Sequence, residues 1–165
     1  MFRQVTDAMN KPAIITLLNE LIAVDFDAVE AYEAAAYRVE NEGLRRQLQA
    51  FGEDHERHID QLSEAVLTLG GRPAERGDIK RLLAKGKVIF GTVVGDSGIM
   101  AAMRSNEDDT HEVYERAACS KNLPPSLRQL LHHHLSDERR HCGWVEHQLE
   151  DKRPSTIPPP SYEAF

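Results

Sequence analysis

Two short spacings in this chain carry the chemistry. His55 and His58 stand three residues apart, and Glu138 and His141 repeat that spacing later in the chain. On a helix, residues three apart share a face, so each pair would aim two donor groups in one direction. Asp25 and Glu107 belong with them once the surrounding segments are written in heptads. The inward stripes read Leu18, Leu21, Asp25, Ala28, Tyr32, Ala35, Val39, then Leu48, Phe51, His55, His58, Leu62, Ala65, Leu69. The later two read Met100, Met103, Glu107, Thr110, Tyr114, Ala117, then Leu131, His134, Glu138, His141, Val145, Gln148. Each stripe is mainly apolar and is broken near its middle by ionisable side chains. Burying such a group without a partner costs several kcal/mol. Three carboxylates and three imidazoles in one dry core therefore call for a cation. The competing reading is a metal-free Asp/Glu–His network that holds the register of the helices.

Four long helices would position these residues. Asn10, Lys11 and Pro12 form a helix start, an N-cap followed by proline in the first turn. The first pattern runs to about Glu40, where Asn41, Glu42 and Gly43 read as a C-terminal stop and tight turn. The second runs from Leu44 to Leu69 and ends at Gly70, Gly71 and Pro73. A third starts near Ser97 and reaches about Ser120; after a turn at Leu123–Ser126 a fourth runs to about Lys152. Between the second and third lies a glycine-interrupted crossover with a short amphipathic piece, Ile79 to Lys87. In antiparallel hairpins Asp25 falls opposite His55 and His58, and Glu107 opposite Glu138 and His141, within roughly one helical turn.

The chain is also a duplication. Moved by 82 positions, Asp25, Asp27, Glu30, Tyr32, Glu33, Ala35 and Ala36 fall on Glu107, Asp109, Glu112, Tyr114, Glu115, Ala117 and Ala118. Moved by 83, Leu44, Arg45, Leu48, Asp54, Arg57 and His58 fall on Leu127, Arg128, Leu131, Asp137, Arg140 and His141. The fold expected is all-α, a four-helix bundle made of two repeated helix hairpins. The bundle takes residues 1–152, and the proline-rich tail 153–165 is expected to be extended or disordered.

Bulk properties exclude several classes. The net charge of −7, with no basic stripe to offset it, argues against a nucleic-acid partner. No window approaches the roughly 18 apolar residues of a membrane span, so no membrane partner is expected. Two cysteines, Cys119 and Cys142, are too few and too far apart for a disulfide framework and read as buried or half-buried small hydrophobes. The expected location is the cytoplasm.

Glu138-Arg139-Arg140-His141, preceded by Glu107 and Tyr114 on the partner helix, resembles the ferritin-like di-iron carboxylate proteins, rubrerythrin and bacterioferritin among them. More closely, residues 12–150 resemble small bacterial ferritin-like proteins with two duplicated hairpins. In that family each half supplies one Glu from its first helix and a Glu-x-x-His pair from its second. The resemblance implies Asp25, His55, His58, Glu107, Glu138 and His141 as metal ligands, with Tyr32 and Tyr114 hydrogen-bonding the site and His134 close behind it. The first half departs from the pattern: Asp25 replaces a Glu, and His55 stands where a bridging Glu should be. A carboxylate can bridge two metals, whereas an imidazole ordinarily binds one.

The resemblance implies iron, two ions, with zinc or manganese as alternatives, and a non-haem di-metal oxidoreductase of ferroxidase or peroxidase type. Its role would be oxygen, peroxide or metal handling under stress. The alternative is a non-catalytic helical interaction or oligomerisation protein, metal-free or holding a structural zinc. The expected partners are metal ions, with a homodimer as a possible assembly.

Overall fold

A computed structural model describes residues 10–76, 95–120 and 123–151. They form four helices: α1 (Lys11–Arg38), α2 (Glu42–Thr68), α3 (Gly95–Ala118) and α4 (Pro125–Glu150). α1 packs along α2 and α3 along α4, α1 also lies against α3, and α2 meets α4 more sparingly. The short helix expected at Ile79–Lys87 and the tail 153–165 lie outside the described residues. Among the described residues no helix is long and apolar enough to cross a membrane.

The helix ends follow from local chemistry. The Asn10 side chain accepts a hydrogen bond from the Ala13 amide at 3.0 Å, satisfying one of the free N–H groups of the first turn. α2 closes in a Schellman motif: Gly70 has φ +80°, its amide reaches the Leu67 carbonyl, and the Gly71 amide reaches that of Val66. The turn between α1 and α2 differs from expectation. Asn41 starts α2 and does not stop α1, because its side-chain oxygen accepts from the Gly43 and Leu44 amides at 2.8 and 3.1 Å. Asp96 at the head of α3 accepts from the Glu40 and Asn41 amides and ties the second hairpin to that turn.

The core has two apolar clusters. One gathers Leu18, Leu21, Leu62, Val66, Tyr114 and Leu131, and the other Tyr32, Leu48, Phe51, Met100, Met103 and Val145. Along every helix the ionisable residues fall between its contributions to the two clusters, so a polar layer is sandwiched between apolar ones. α2 ends beside the first cluster and α3 begins beside the second, so the hairpins are joined across the length of the bundle. In α1 the whole heptad stripe is buried, together with Ile22, Val29 and Ala36 beside it. In α2 it drifts: Val66 is buried, while the expected Ala65 and Leu69 are only partly so. A straight α-helix rotates about 20° per heptad away from a 3.5 repeat, which carries the stripe one residue over by the last turn.

Candidate metal centre

Asp25 on α1, His55 and His58 on α2, Glu107 on α3, and Glu138 and His141 on α4 are all fully buried. They meet in the polar layer as two overlapping groups. In the first, one donor atom each from Asp25, His55, His58 and Glu138 lies within 4.8 Å of the others; in the second, the same holds for His55, Glu107 and His141. Within the first group His55 Nδ1 is 2.9 Å from Asp25 Oδ1, and His58 Nδ1 is 3.6 Å from that oxygen and 3.7 Å from Glu138 Oε1. Within the second, His141 Nδ1 is 3.7 Å from Glu107 Oε2.

Most of the donor atoms are unspent. His55 Nε2, His58 Nδ1, Glu107 Oε2, both Glu138 oxygens and His141 Nδ1 are buried and have no hydrogen-bond partner. Buried polar atoms are nearly always paired, and leaving one unpaired costs about 1–3 kcal/mol. Six of them in one layer, from carboxylates and imidazoles, are what divalent first-row ions bind. The residues present fit a metal.

The nitrogens of His58 and His141 that face away from the centre are both engaged, each by an aspartate of the other hairpin. His58 Nε2 meets Asp137 Oδ2 at 3.1 Å, and His141 Nε2 meets Asp54 Oδ2 at 3.1 Å. Arg57 and Arg140 each donate to both aspartates at 2.6–2.9 Å, closing a ring of alternating charge at the edge of the layer. Tyr32 donates to Glu107 Oε1 and Tyr114 to Asp25 Oδ2, both at 2.6 Å. The His141 ring packs against Phe51 with centroids 4.1 Å apart, and the His58 ring stacks on His134 at 3.9 Å and 14°. Each hairpin therefore orients the other's donors. An outward imidazole N–H held by a carboxylate leaves the inward nitrogen with its lone pair.

Burial and the neighbouring charges set the protonation of each group in the layer. Burial pushes Glu138 well above the ordinary carboxylate range, and burial likewise raises Glu107. Burial would raise Asp25 too, but its contacts with His55 and His58 outweigh that and hold it below the usual value. His55 is opposed by burial yet raised to about 9 by Glu138, Asp25 and Glu107 around it. Burial lowers His134 and His141 to about 3, keeping both rings neutral. Burial and the facing acids raise Tyr32 and Tyr114 well above 10, so both remain hydrogen-bond donors.

The structure brings all six expected ligand residues together, with Tyr32, Tyr114 and His134 against them. His134 touches the His58 ring and bonds Gln61 Oε1 through Nε2 at 2.8 Å; its Nδ1 is among the buried atoms without a partner. His132, His133, Glu30, Glu33, Glu112 and Glu115 are exposed and His111 is half-buried. Cys142 is half-buried as expected, whereas Cys119, at the end of α3, is exposed. Sequence reasoning missed the part played by Asp54 and Asp137. The signal was present, since the repeat aligns these two residues together with Arg57 and Arg140, each aspartate four residues before a ligand histidine.

Comparison with known proteins agrees with this architecture. The chain resembles, at 23% identity and TM-score 0.67, ferritin-like diiron-carboxylate proteins from Bacillus anthracis, over 86% of this chain and 99% of that one. It resembles the Desulfovibrio desulfuricans bacterioferritin, whose structure describes a diiron site, at 23% identity and TM-score 0.73, over 87% and 84% of the two chains. A dodecameric thioferritin from Bacteroides fragilis is similar at 17% identity and TM-score 0.76, over 87% and 88%. No curated protein matches the chain. The fold is a ferritin-like four-helix bundle. A family profile described as "Domain of unknown function (DUF2383)" matches residues 13–121, from α1 through the end of α3, and the chain belongs to that family.

Proposed function

We propose that the polar layer binds two non-haem metal ions through Asp25, His55, His58, Glu107, Glu138 and His141. On this reading the protein is a ferritin-like metal protein serving oxygen, peroxide or metal handling under stress. The observation that supports it best is the set of six buried, unpartnered donor atoms converging between two apolar clusters. Two structural neighbours are described as diiron proteins, which favours iron; zinc or manganese would also suit three carboxylates and three imidazoles.

Iron, when bound, would supply electrons for reducing O₂ or peroxide. The chain's own part is to bind, orient and exclude water. Asp137 and Asp54 hold the rings of His58 and His141 so that each presents Nδ1 inward. Tyr32 and Tyr114 occupy one oxygen each of Glu107 and Asp25, leaving Glu107 Oε2 free. The apolar clusters above and below keep the layer dry, which strengthens every charge interaction inside it.

The test is elemental analysis of untagged protein purified without added metal, beside a His55→Ala/Glu138→Ala double variant. Two iron atoms per chain, lost in the variant, is the expected result, followed by stopped-flow oxidation with O₂ and peroxide. One zinc per chain would replace the redox reading with a structural one. No metal, with a variant no less stable in urea, refutes the metal site.

A further inference from the structure

Each ligand imidazole in this layer has two nitrogens, and their partners divide by a rule. His58 and His141 keep Nε2 against an aspartate on the other hairpin and leave Nδ1 inward without a partner. His55 has the same arrangement with its nitrogens exchanged: Nδ1 sits 2.9 Å from Asp25 Oδ1, and Nε2 is buried and unpartnered. A metal-bound histidine usually donates its other N–H to a carboxylate. All three imidazoles therefore form carboxylate–histidine pairs with one nitrogen left to give.

For His55 that pairing decides which ion it serves. Its Nδ1 lies on the side of Asp25, His58 and Glu138, at 3.8 Å from Glu138 Oε1, but the short contact to Asp25 is a hydrogen-bond distance. The nitrogen with a free lone pair is then Nε2. His55 is also the residue shared with the group formed by Glu107 and His141, where two further donor atoms, Glu107 Oε2 and His141 Nδ1, stand unpartnered.

We propose that His55 does not bridge: it ligates one ion through Nε2 together with Glu107 and His141, while its Nδ1–H remains bonded to Asp25. This rests on the two-ion reading given above. The centre is then two unlike positions. One has two carboxylates and one imidazole, from Asp25, Glu138 and His58. The other has one carboxylate and two imidazoles, from Glu107, His55 and His141. Imidazole-rich sites favour zinc, nickel, copper and ferrous iron, whereas oxygen-rich sites suit manganese. The residue that departs from the family pattern thus makes the centre a selector of two different cations.

The full-length protein, stripped of metal and given one equivalent of Zn(II) per chain in a large excess of Mn(II), because zinc binds either kind of site more tightly than manganese when both are plentiful, tests this by metal analysis, by Mn(II) electron paramagnetic resonance and by anomalous diffraction at the two absorption edges. The expected result is one zinc with His55, Glu107 and His141, and one manganese with Asp25, His58 and Glu138. His55→Ala, and His55→Gln in case alanine impairs folding, should weaken zinc by more than about 100-fold, beyond the loss from removing a supporting contact, and keep the manganese. His58→Ala should do the reverse. His55→Glu, which restores a carboxylate able to bridge, should abolish the discrimination between the two ions.

Two ions bound without discrimination in the native protein would overturn the proposal while leaving the metal reading intact. So would a separation near 6 Å with density from both His55 nitrogens, the sum of two metal–nitrogen bonds of about 2 Å and the width of the ring. A His55→Ala variant that keeps both ions would do the same. Native protein that binds neither ion would overturn both readings together.

Discussion

Replacing Asp137 by asparagine separates the orienting role of this carboxylate from its place in the surface charge ring. Asp137 touches the His58 Nε2 at 3.1 Å, Arg57 at 2.9 Å and Arg140 at 2.7 Å. The asparagine keeps the shape and loses the charge. The arginine side chains are 42% and 50% exposed, so solvent screens them, and each lost ion pair should cost about 0.2–1 kcal/mol. The effect on the metal should be larger relative to that background. Losing the carboxylate behind a ligand histidine typically weakens metal binding by about 10–100-fold, or about 1.4–2.8 kcal/mol. The assay is competition for Co(II) or Zn(II) against a chelator of known affinity, with urea unfolding of the metal-free protein measured in parallel. Asp54→Asn should act in the same way on the ion held by His141, and the two variants should weaken different ions. Because both aspartates contact Arg140, their effects on stability should not add, since residues in one network are coupled. An affinity unchanged within about two-fold, together with a clear loss of stability, would refute an orienting role and leave only a surface ion network.

Three further outcomes follow from contacts in the polar layer. Tyr32→Phe and Tyr114→Phe each remove a 2.6 Å hydrogen bond to a buried carboxylate. Each should lower metal-free stability by about 1–3 kcal/mol, the cost of leaving that oxygen unsatisfied, as read by urea unfolding. His134 stands 83 positions after Phe51 and packs on a ligand imidazole as Phe51 does. His134→Phe should therefore leave stability within about 1 kcal/mol, whereas His134→Ala should lose about 2–4 kcal/mol through the cavity left beside His58. The pH dependence has a definite sign. Asp54 and Asp137 are opposed by burial, but their contacts with Arg140 and with a ligand histidine hold both below the ordinary aspartate range. A carboxylate lowered on folding adds stability above its unfolded value, near 3.9, and that stability is lost as pH falls through the folded value. As pH drops from about 5 the Asp54→Asn/Asp137→Asn double variant should lose less stability in urea than the native protein; in both, the neutral His134 and His141 add a loss that begins nearer 6.5.

Much of the architecture was legible because it is written in local periodicity. A stripe such as Leu18, Leu21, Asp25, Ala28, Tyr32 marks a helix with one inward face, whatever it packs against, and the ionisable interruption marks the level of the polar layer. The duplication added the pairing of hairpins, since Tyr32 and Tyr114, or His58 and His141, could be equated before any contact was known. Local rules also misled in places. Asn41 reads as either end of a helix, and only the direction of its side chain shows that it caps α2. Strict heptads placed Ala65 and Leu69 inward, where the true helical repeat buries Val66.

What tertiary structure alone decided is which groups meet across the bundle. Asp54 with His141, Asp137 with His58, Tyr32 with Glu107 and Tyr114 with Asp25 are separated by 75 to 89 residues. All four pairs join opposite hairpins. Their existence depends on how far each helix is rotated about its axis and on its height relative to the others, and a shift of one residue turns a side chain by about 100°. The same packing sets which nitrogen of each imidazole faces the centre. The sequence determined that acids and histidines would share one buried layer; the packing of the two hairpins determined which of their atoms are spent on one another and which remain free to bind a cation.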